Sequence, residues 1–292
     1  ICAISERPAA SKTQASDGMA GVDSFIRRYR ELPAGYYREF APSSDLSDFI
    51  ACGWIKAVRG EPSLIPIIPD GCADIMTFDD GAPFLVGPDL VTRWVPLADG
   101  TVITGLRLRP GALQSVFGCK ATDLLGESAQ LSELSSDSHG LHHRLERLHA
   151  PGARLAQLEH WVRGRLARSR VLELGLVSAC RALSRDPQVG LDLLAHQLGW
   201  NPRMLHRKFV AACGYGPKHL QRILRVQGVL RAAQSGPSTR PLSEIAAALG
   251  FADQAHQARD FKSITGFSPT AYLAQSNVEV GRWLEEPWPD KR

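Results

Sequence analysis

Asp70, Cys72 and Asp74 alternate along one short segment, so on a strand they would share a face and set a thiol between two carboxylates. Such a trio becomes a thiol nucleophile or a mixed hard and soft metal site only if a base or further ligands converge on it. Residues 36–134 contain no histidine, the first in the chain being His139, so a metal site built from clustered imidazoles is unavailable there. Turn chemistry for the carboxylates and ordinary core packing for the thiol are the simpler reading, and the same holds for Cys52 and Cys72 as a redox pair. His139, His142, His143 and His149 have spacings of three and four that can bind a metal, but with no acidic or thiol partner indicated they count as adventitious. Arg107 and Arg109 alternate with Leu106 and Leu108, which puts both guanidiniums on one strand face. That face is either solvated and salt-bridged, or an anion-facing pair in a pocket for a small effector. No catalytic residue, metal ligand or cofactor is assigned.

The elements behind these residues change texture along the chain. Residues 1–30 are rich in Ser, Ala and charge, with Phe25 and Ile26 as the one apolar anchor, and carry no assigned function. Over 36–134 the runs Ser63-Leu-Ile-Pro-Ile-Ile68, Asp74-Ile-Met-Thr-Phe78, Phe84-Leu-Val86 and Thr101-Val-Ile-Thr-Gly-Leu-Arg-Leu108 are punctuated by Gly, Pro and Asp. Short apolar runs between turn signals predict strands of a compact barrel or sandwich. A helix is expected over 110–117, with Pro110 near its first turn. Leu141, Leu145 and Leu148, and then Leu155, Leu158, Val162 and Leu166, recur at helical spacing on either side of Pro151 and Gly152. They predict a two-helix hairpin whose stripe packs on its own domain or on a second subunit, the former being simpler.

The expected fold class is therefore α+β. An N-terminal tail (1–30) leads into a β-rich barrel- or sandwich-like domain (31–135), a helical connector (136–168), an all-α module (169–275) and a tail (276–292) in which Trp283 and Trp288 have no readable role. With 44% hydrophobic and 22% charged residues over 292 positions, the chain can bury a real core. No run of about 18 apolar residues occurs, and the first residues lack an apolar stretch of signal-peptide length, so membrane spanning and secretion are not expected. Six scattered cysteines with no CxxC pair suit a reducing cytoplasm.

Charge divides unevenly. Residues 1–168 hold 18 Lys/Arg against 20 Asp/Glu, residues 169–275 hold 13 against 6, and residues 276–292 hold 3 against 4. A basic module joined to a near-neutral one is what a phosphate-neutralising part attached to a second function requires.

Inside the basic segment the chain repeats itself at a spacing of 51 to 52 residues. Leu191, Leu194, Ala195, Leu198, Gly199 and Trp200 match positions 51 later, and Arg207, Phe209, Gly214, Tyr215 and Pro217 match positions 52 later. Each copy has the pattern of a helix-turn-helix. Leu191, Leu194, Ala195 and Leu198 form the buried face of a short helix that Gly199 can end in a positive-φ conformation. Asn201 can cap the next helix and Pro202 suits its first position. At about 100° per residue, Leu205, Phe209 and Ala212 face inward while Arg203, Arg207 and Val210 face out, with His206 beside them. In the second copy Phe261 and Ile264 face in; Ala255, Arg259 and Lys262 face out, with Gln254 and His256 near the helix start.

Leu249-Gly-Phe-Ala-Asp-Gln-Ala-His256, Arg259-Asp-Phe-Lys262 and Gly266-Phe-Ser-Pro-Thr-Ala-Tyr272 resemble the C-terminal signature of the AraC family of transcription regulators, and the resemblance runs from near Val171 to Gln275. It implies a seven-helix module in which a long helix, from Pro217 to about Gln234, links the two units and the outer residues of both second helices contact bases. Carried over, those are Arg203, His206 and Arg207, then Gln254, His256 and Arg259; Lys208, Lys218 and Lys262 are the phosphate candidates. Two departures stand out: Gln257 occupies a position where the family usually has an aromatic core residue, and Ala252 replaces the usual capping Ser. Ile68-Pro-Asp-Gly-Cys-Ala-Asp74 and Gly105-Leu-Arg-Leu-Arg-Pro-Gly111 resemble the small sensor-like β domain that precedes such modules in many bacterial regulators. The implied partners are double-stranded DNA, RNA polymerase and a small-molecule effector, with the chain a monomer or homodimer. The alternative is a sensing or enzymatic N-terminal module that an AraC-like part merely targets to DNA.

Overall fold

The computed structural model describes residues 36–58, 63–78, 82–169, 173–234 and 242–273. The terminal tails, with Phe25, Ile26, Trp283 and Trp288, and Val171 lie outside the described residues.

Eight strands are described: β1 (Tyr36–Phe40), β2 (Ile50–Ala57), β3 (Ser63–Ile67), β4 (Ala73–Phe78), β5 (Phe84–Val86), β6 (Arg93–Leu97), β7 (Val102–Leu108) and β8 (Ser128–Gln130). Six form an antiparallel sheet in the order β1-β2-β7-β4-β5-β8, and β3 pairs with β6 in a separate ribbon. The larger sheet is open, so of the two architectures expected the closed barrel is corrected to two sheets. On one side of it, Trp54, Cys52 and Ile103 cluster with Leu97 of the ribbon, and Ile65 and Val95 pack against them.

The other side is covered by helices. α1 (Ala112–Phe117) starts at Gly111 with φ 85°, which places Pro110 ahead of the cap rather than in the first turn. α2 (Leu131–Leu134) and α3 (Ser138–Glu146) lead to α4 (Pro151–Arg168), which buries Leu155, Leu158, Val162 and Leu166. A Cβ on Gly53 would lie 3.2 Å from the Leu155 side chain and 3.5 Å from Leu106, so the leucine stripe packs on the chain's own sheet. Arg154, 2% exposed, locks this contact by donating from Nε to the Leu148 carbonyl at 2.7 Å and from a terminal nitrogen to the Phe78 carbonyl at 2.9 Å. A buried guanidinium is tolerated only when hydrogen-bonded in this way.

Seven helices follow among the described residues: α5 (Leu174–Arg185), α6 (Leu191–Gln197), α7 (Pro202–Cys213), α8 (Pro217–Gln234), α9 (Leu242–Ala248), α10 (Gln254–Thr265) and α11 (Pro269–Leu273). One continuous core joins them, with Phe209 of α7 and Phe261 of α10 among the largest fully buried side chains. Burying each such ring stabilises the fold by roughly 1.5–3 kcal/mol. The β domain and the helical module pack directly on each other. Arg181 of α5 pairs with Asp48, a Cβ on Gly111 would lie 3.2 Å from Leu176, and one on Gly214 would lie 3.0 Å from Leu125.

Candidate nucleic-acid interface

The two copies of the repeat build the same turn with different atoms. In the first, Gly199 closes α6 at φ 67°, Asn201 accepts the Met204 backbone N–H at 2.8 Å, and Pro202 opens α7. In the second, Gly250 turns at φ 73° and the cap is Asp253, which accepts the His256 N–H at 2.6 Å. The missing Ser at position 252 therefore leaves no bare helix end, because its neighbour caps instead. An uncapped end would leave first-turn donors without partners.

On α7, Leu205, Phe209 and Ala212 are buried while Arg203, His206 and Arg207 are exposed, and Val210 is half-buried. Arg203 and Arg207 make no hydrogen bond or ion pair among the described residues. The His206 ring covers Gly216, where a Cβ would fall 2.7 Å from Nε2, so α7 and the start of α8 approach closely. On α10, Gln254, Arg259 and Lys262 are exposed and likewise unbonded. Lys218, in the first turn of α8, is exposed too.

Two of the expected contact residues are committed elsewhere. Lys208 Nζ lies 2.7 and 2.8 Å from the two Glu173 carboxylate oxygens and 5.1 Å from the Trp200 ring centroid. His256 Nδ1 accepts the Ala252 N–H at 3.3 Å, its Nε2 lies 3.4 Å from Asp260, and its ring meets Phe251 edge-on at 5.7 Å. Its imidazole thus completes the cap of α10. Asp260 is the centre of a network absent from the sequence reading: Arg222 of α8 donates to it at 2.9 Å and to Ser263 at 2.8 Å, and Arg225 approaches at 3.9 Å. These bonds fix α10 to the linking helix. Asp260 stands 52 residues after Lys208, so equivalent positions of the two copies both anchor a second helix to an earlier one, with opposite charges. That pairing was the available signal.

In the β domain, Arg107 and Arg109 both act electrostatically on the Cys72 thiol. Arg107 is surrounded by carboxylates, with Asp74 at 3.2 Å, Asp70 at 3.4 Å and Glu39 at 3.6 Å. Trp54 Nε1 donates to Asp74 at 2.7 Å and the Tyr37 hydroxyl to Glu39 at 2.6 Å. Arg109, 7% exposed, donates to the Ser47 carbonyl at 2.9 Å. Of the two readings of this face, the salt-bridged one describes Arg107. Burial pushes the Cys72 thiol well above its ordinary range and Asp70 adds to the shift, which opposes a thiolate nucleophile. The histidines of α3 do have an acidic neighbour, since His142 and His143 lie 3.2 and 3.4 Å from Glu146.

Against known families, residues 194–275 match a helix-turn-helix domain, spanning the end of the first unit's opening helix through the second unit. This C-terminal region is an AraC-type helix-turn-helix domain, the DNA-binding part of a transcription regulator. Residues 38–130 match a domain of unknown function, DUF6597. No curated protein matches the chain closely enough to count as a relative. Among solved structures it is similar to the C-terminal domain of AraT, a response regulator from Geobacillus stearothermophilus, with 23% identity over 38% of this chain and 92% of that one, TM-score 0.34. It is also similar to ToxT from Vibrio cholerae, with 12% identity over 83% of this chain and 98% of that one, TM-score 0.39. ToxT of strain SCE256 with bound unsaturated fatty acid gives 12% identity, 85% and 95% coverage and TM-score 0.37. Among the described residues, no helix is long and apolar enough to cross a membrane.

Proposed function

We propose that this AraC-type regulator reads two adjacent, non-identical major-groove segments of one DNA site, with α7 in the first and α10 in the second. The carrying observation is that Arg207 and Arg259, equivalent in the repeat, both stand exposed and unbonded among the described residues on the second helix of a helix-turn-helix. A free guanidinium can grip a guanine edge with two hydrogen bonds, worth about 1–3 kcal/mol of discrimination. The 18 residues of α8 make it about 27 Å long. That is of the order of the roughly 34 Å at which successive major-groove segments recur on one face of the duplex. The base-facing groups are Arg203, His206 and Arg207 in one half and Gln254 and Arg259 in the other, with His256 supporting the cap between them. Lys218 and Lys262 meet phosphates; Lys208 would first have to leave Glu173. One monomer suffices to span both halves, so a homodimer would bind two such sites, and RNA polymerase is the expected partner in the cytoplasm.

The β domain acts as the regulatory part. A small effector using the Arg107 cluster must satisfy Asp70, Asp74 and Glu39 as well as the guanidinium, so it carries a cationic or hydrogen-donating group. Selecting bound sequences from a random duplex pool tests the DNA reading. A non-palindromic consensus of about two turns is expected, with affinity falling steeply as salt rises because the module's 13 Lys/Arg against 6 Asp/Glu displace counterions. A palindromic consensus, or none, refutes it.

A further inference from the structure

One loop of the β domain touches both the interior charge cluster and the helices that hold the DNA-reading elements. Between β3 and β4 the chain runs Ile68-Pro-Asp-Gly-Cys72, the segment whose motif the DNA reading leaves unused. The Pro69 carbonyl accepts a 2.7 Å hydrogen bond from Gln227 Nε2 on α8, a side chain in a residue only 3% exposed. The Gly71 carbonyl accepts a 3.2 Å bond from the buried Tyr215 hydroxyl, in the turn that joins α7 to α8. Between these two carbonyls Asp70 turns its side chain the other way. Its Oδ1 accepts the Cys72 N–H at 2.9 Å, and its Oδ2 lies 3.4 Å from Arg107 Nε.

Gly71 measures how tightly the parts fit. At φ 85° it favours glycine on backbone grounds alone, and a Cβ there would stand 2.8 Å from Leu220 of α8 and 3.0 Å from the Tyr215 hydroxyl. The second unit is held from the same domain. Thr92 donates its N–H at 2.9 Å and its hydroxyl at 3.2 Å to the Ile264 carbonyl in the last turn of α10, and Trp94 meets Phe267 edge-on at 5.9 Å. Carbonyls in a helix's last turn lack partners within the helix, so Thr92 satisfies one of them. The β domain therefore grips the C-terminal ends of both second helices, away from the N-terminal turns that carry Arg203 and Gln254.

We propose that the 69–71 loop positions the two second helices relative to each other, so that the pairing of Asp70 with Arg107 inside the β domain sets which spacing of DNA half-sites the regulator accepts. Asp70, Tyr215 and Gln227 are positioning residues in this scheme; none touches DNA. The two carbonyls flank the Asp70 backbone, so a change in the pairing of that side chain moves both anchors together. Coupling of this kind requires one element that both ends bias, and the loop is the element that touches both. The inference rests on the reading that α7 and α10 occupy two halves of one site.

The test uses the full chain and the duplex it selects from a random pool, together with derivatives in which one base pair is inserted or deleted between the halves. Each step rotates one half by about 34° relative to the other, a turn being about 10.5 base pairs. The parent should lose at least about tenfold in affinity per step. Asp70→Asn and Tyr215→Phe, each shown to melt cooperatively, should each cut that penalty to about threefold or less, and the double variant should relax it no further than either alone, because both act through one loop. Gln227→Met approaches the other carbonyl and should behave alike. Unchanged penalties in these variants, penalties that add in the double variant, or a parent indifferent to spacing would overturn the coupling while leaving DNA recognition intact. A parent that selects no sequence fails the DNA reading itself, a result visible before any variant is made, and takes the coupling with it.

Discussion

Gln257 should be a site where removing a buried polar group strengthens the protein. Its side chain is fully buried on the inner face of α10, beside Phe261 and Ile264, and among the described residues neither its amide nitrogen nor its amide oxygen finds a hydrogen-bond partner. An unsatisfied buried polar group costs about 1–3 kcal/mol, whereas an apolar side chain of similar size at the same place gains from leaving water. The chain contains its own precedent, because the position 52 residues earlier is Leu205, which is 1% exposed in the core of the first unit. Allowing for the different branching of the two side chains, Gln257→Leu is expected to stabilise by about 1–2 kcal/mol and to raise the melting temperature by a few degrees. Urea unfolding of the full chain measures it, with an unchanged slope showing that the effect is on stability rather than on the unfolded ensemble. DNA affinity should stay within about twofold. A loss of 1 kcal/mol or more would refute the reasoning, since it would mean that the amide is bonded in solution and that its partner was stripped by the change.

Two further outcomes follow from the interface and from one histidine. Arg207→Ala should cost about 1–3 kcal/mol and relax preference at one or two base pairs of the first half only, whereas Lys218→Ala should weaken all sequences nearly alike; a base-by-base affinity matrix separates the two, and a uniform loss for Arg207→Ala would show that it only holds the backbone. Burial, with the neighbouring Arg222, holds the His219 imidazole below its usual pKa while Asp260 pulls it partly back. The unfolded chain then binds a proton that the folded one refuses, so stability is lost as pH falls from about 6.5 through the folded value, and His219→Gln should flatten the urea midpoint between pH 7 and 5. An unchanged slope would assign that acid sensitivity to other groups.

What could be read from residues alone depended on whether alternation or a continuous apolar run lay between marked ends. β4 alternates buried and half-buried positions, and its run, like those of β5 and β7, was readable because flanking Gly, Pro and Asp marked its ends. β2 was missed for the opposite reason. All eight of its residues are buried, and Ile50-Ala-Cys-Gly-Trp-Ile-Lys-Ala57 shows neither alternation nor a continuous apolar run. Its glycine is there for fit, since Leu155 of α4 packs over Gly53, a pairing more than 100 residues distant that no local pattern encodes. Trp54 likewise needs Gly105 opposite it, where a Cβ would lie 2.5 Å from the indole. The helical module was far more legible because its capping residues, inner-face spacing and turn glycines are all local, and Asn201, Gly199 and Phe209 do what their positions demand.

The site residues divide along a related line, between direction and availability. Helical spacing states which way a side chain points, and it placed Arg203, Arg207, Arg259 and Lys262 correctly on open faces. It does not state whether a long polar side chain that points outward is already held by a neighbouring helix. Lys208 points along the flank of α7, where Glu173 ahead of α5 meets it, and His256 is drawn back over the end of its own helix. A recognition helix needs such holdings, because a contact to a base edge is specific only if the helix carrying it cannot rotate. The groups that aim the helix are therefore taken from the same polar residues that could have met DNA. In each unit, the position one after the shared arginine is the one given up to that purpose: Lys208 beside Arg207, and Asp260 beside Arg259. The first is a cation held by a carboxylate and the second a carboxylate held by arginines, so what the repeat has kept is the bond between helices rather than its polarity. That is why matching residue types across the two copies found the arginines that face outward and passed over the pair that aims them.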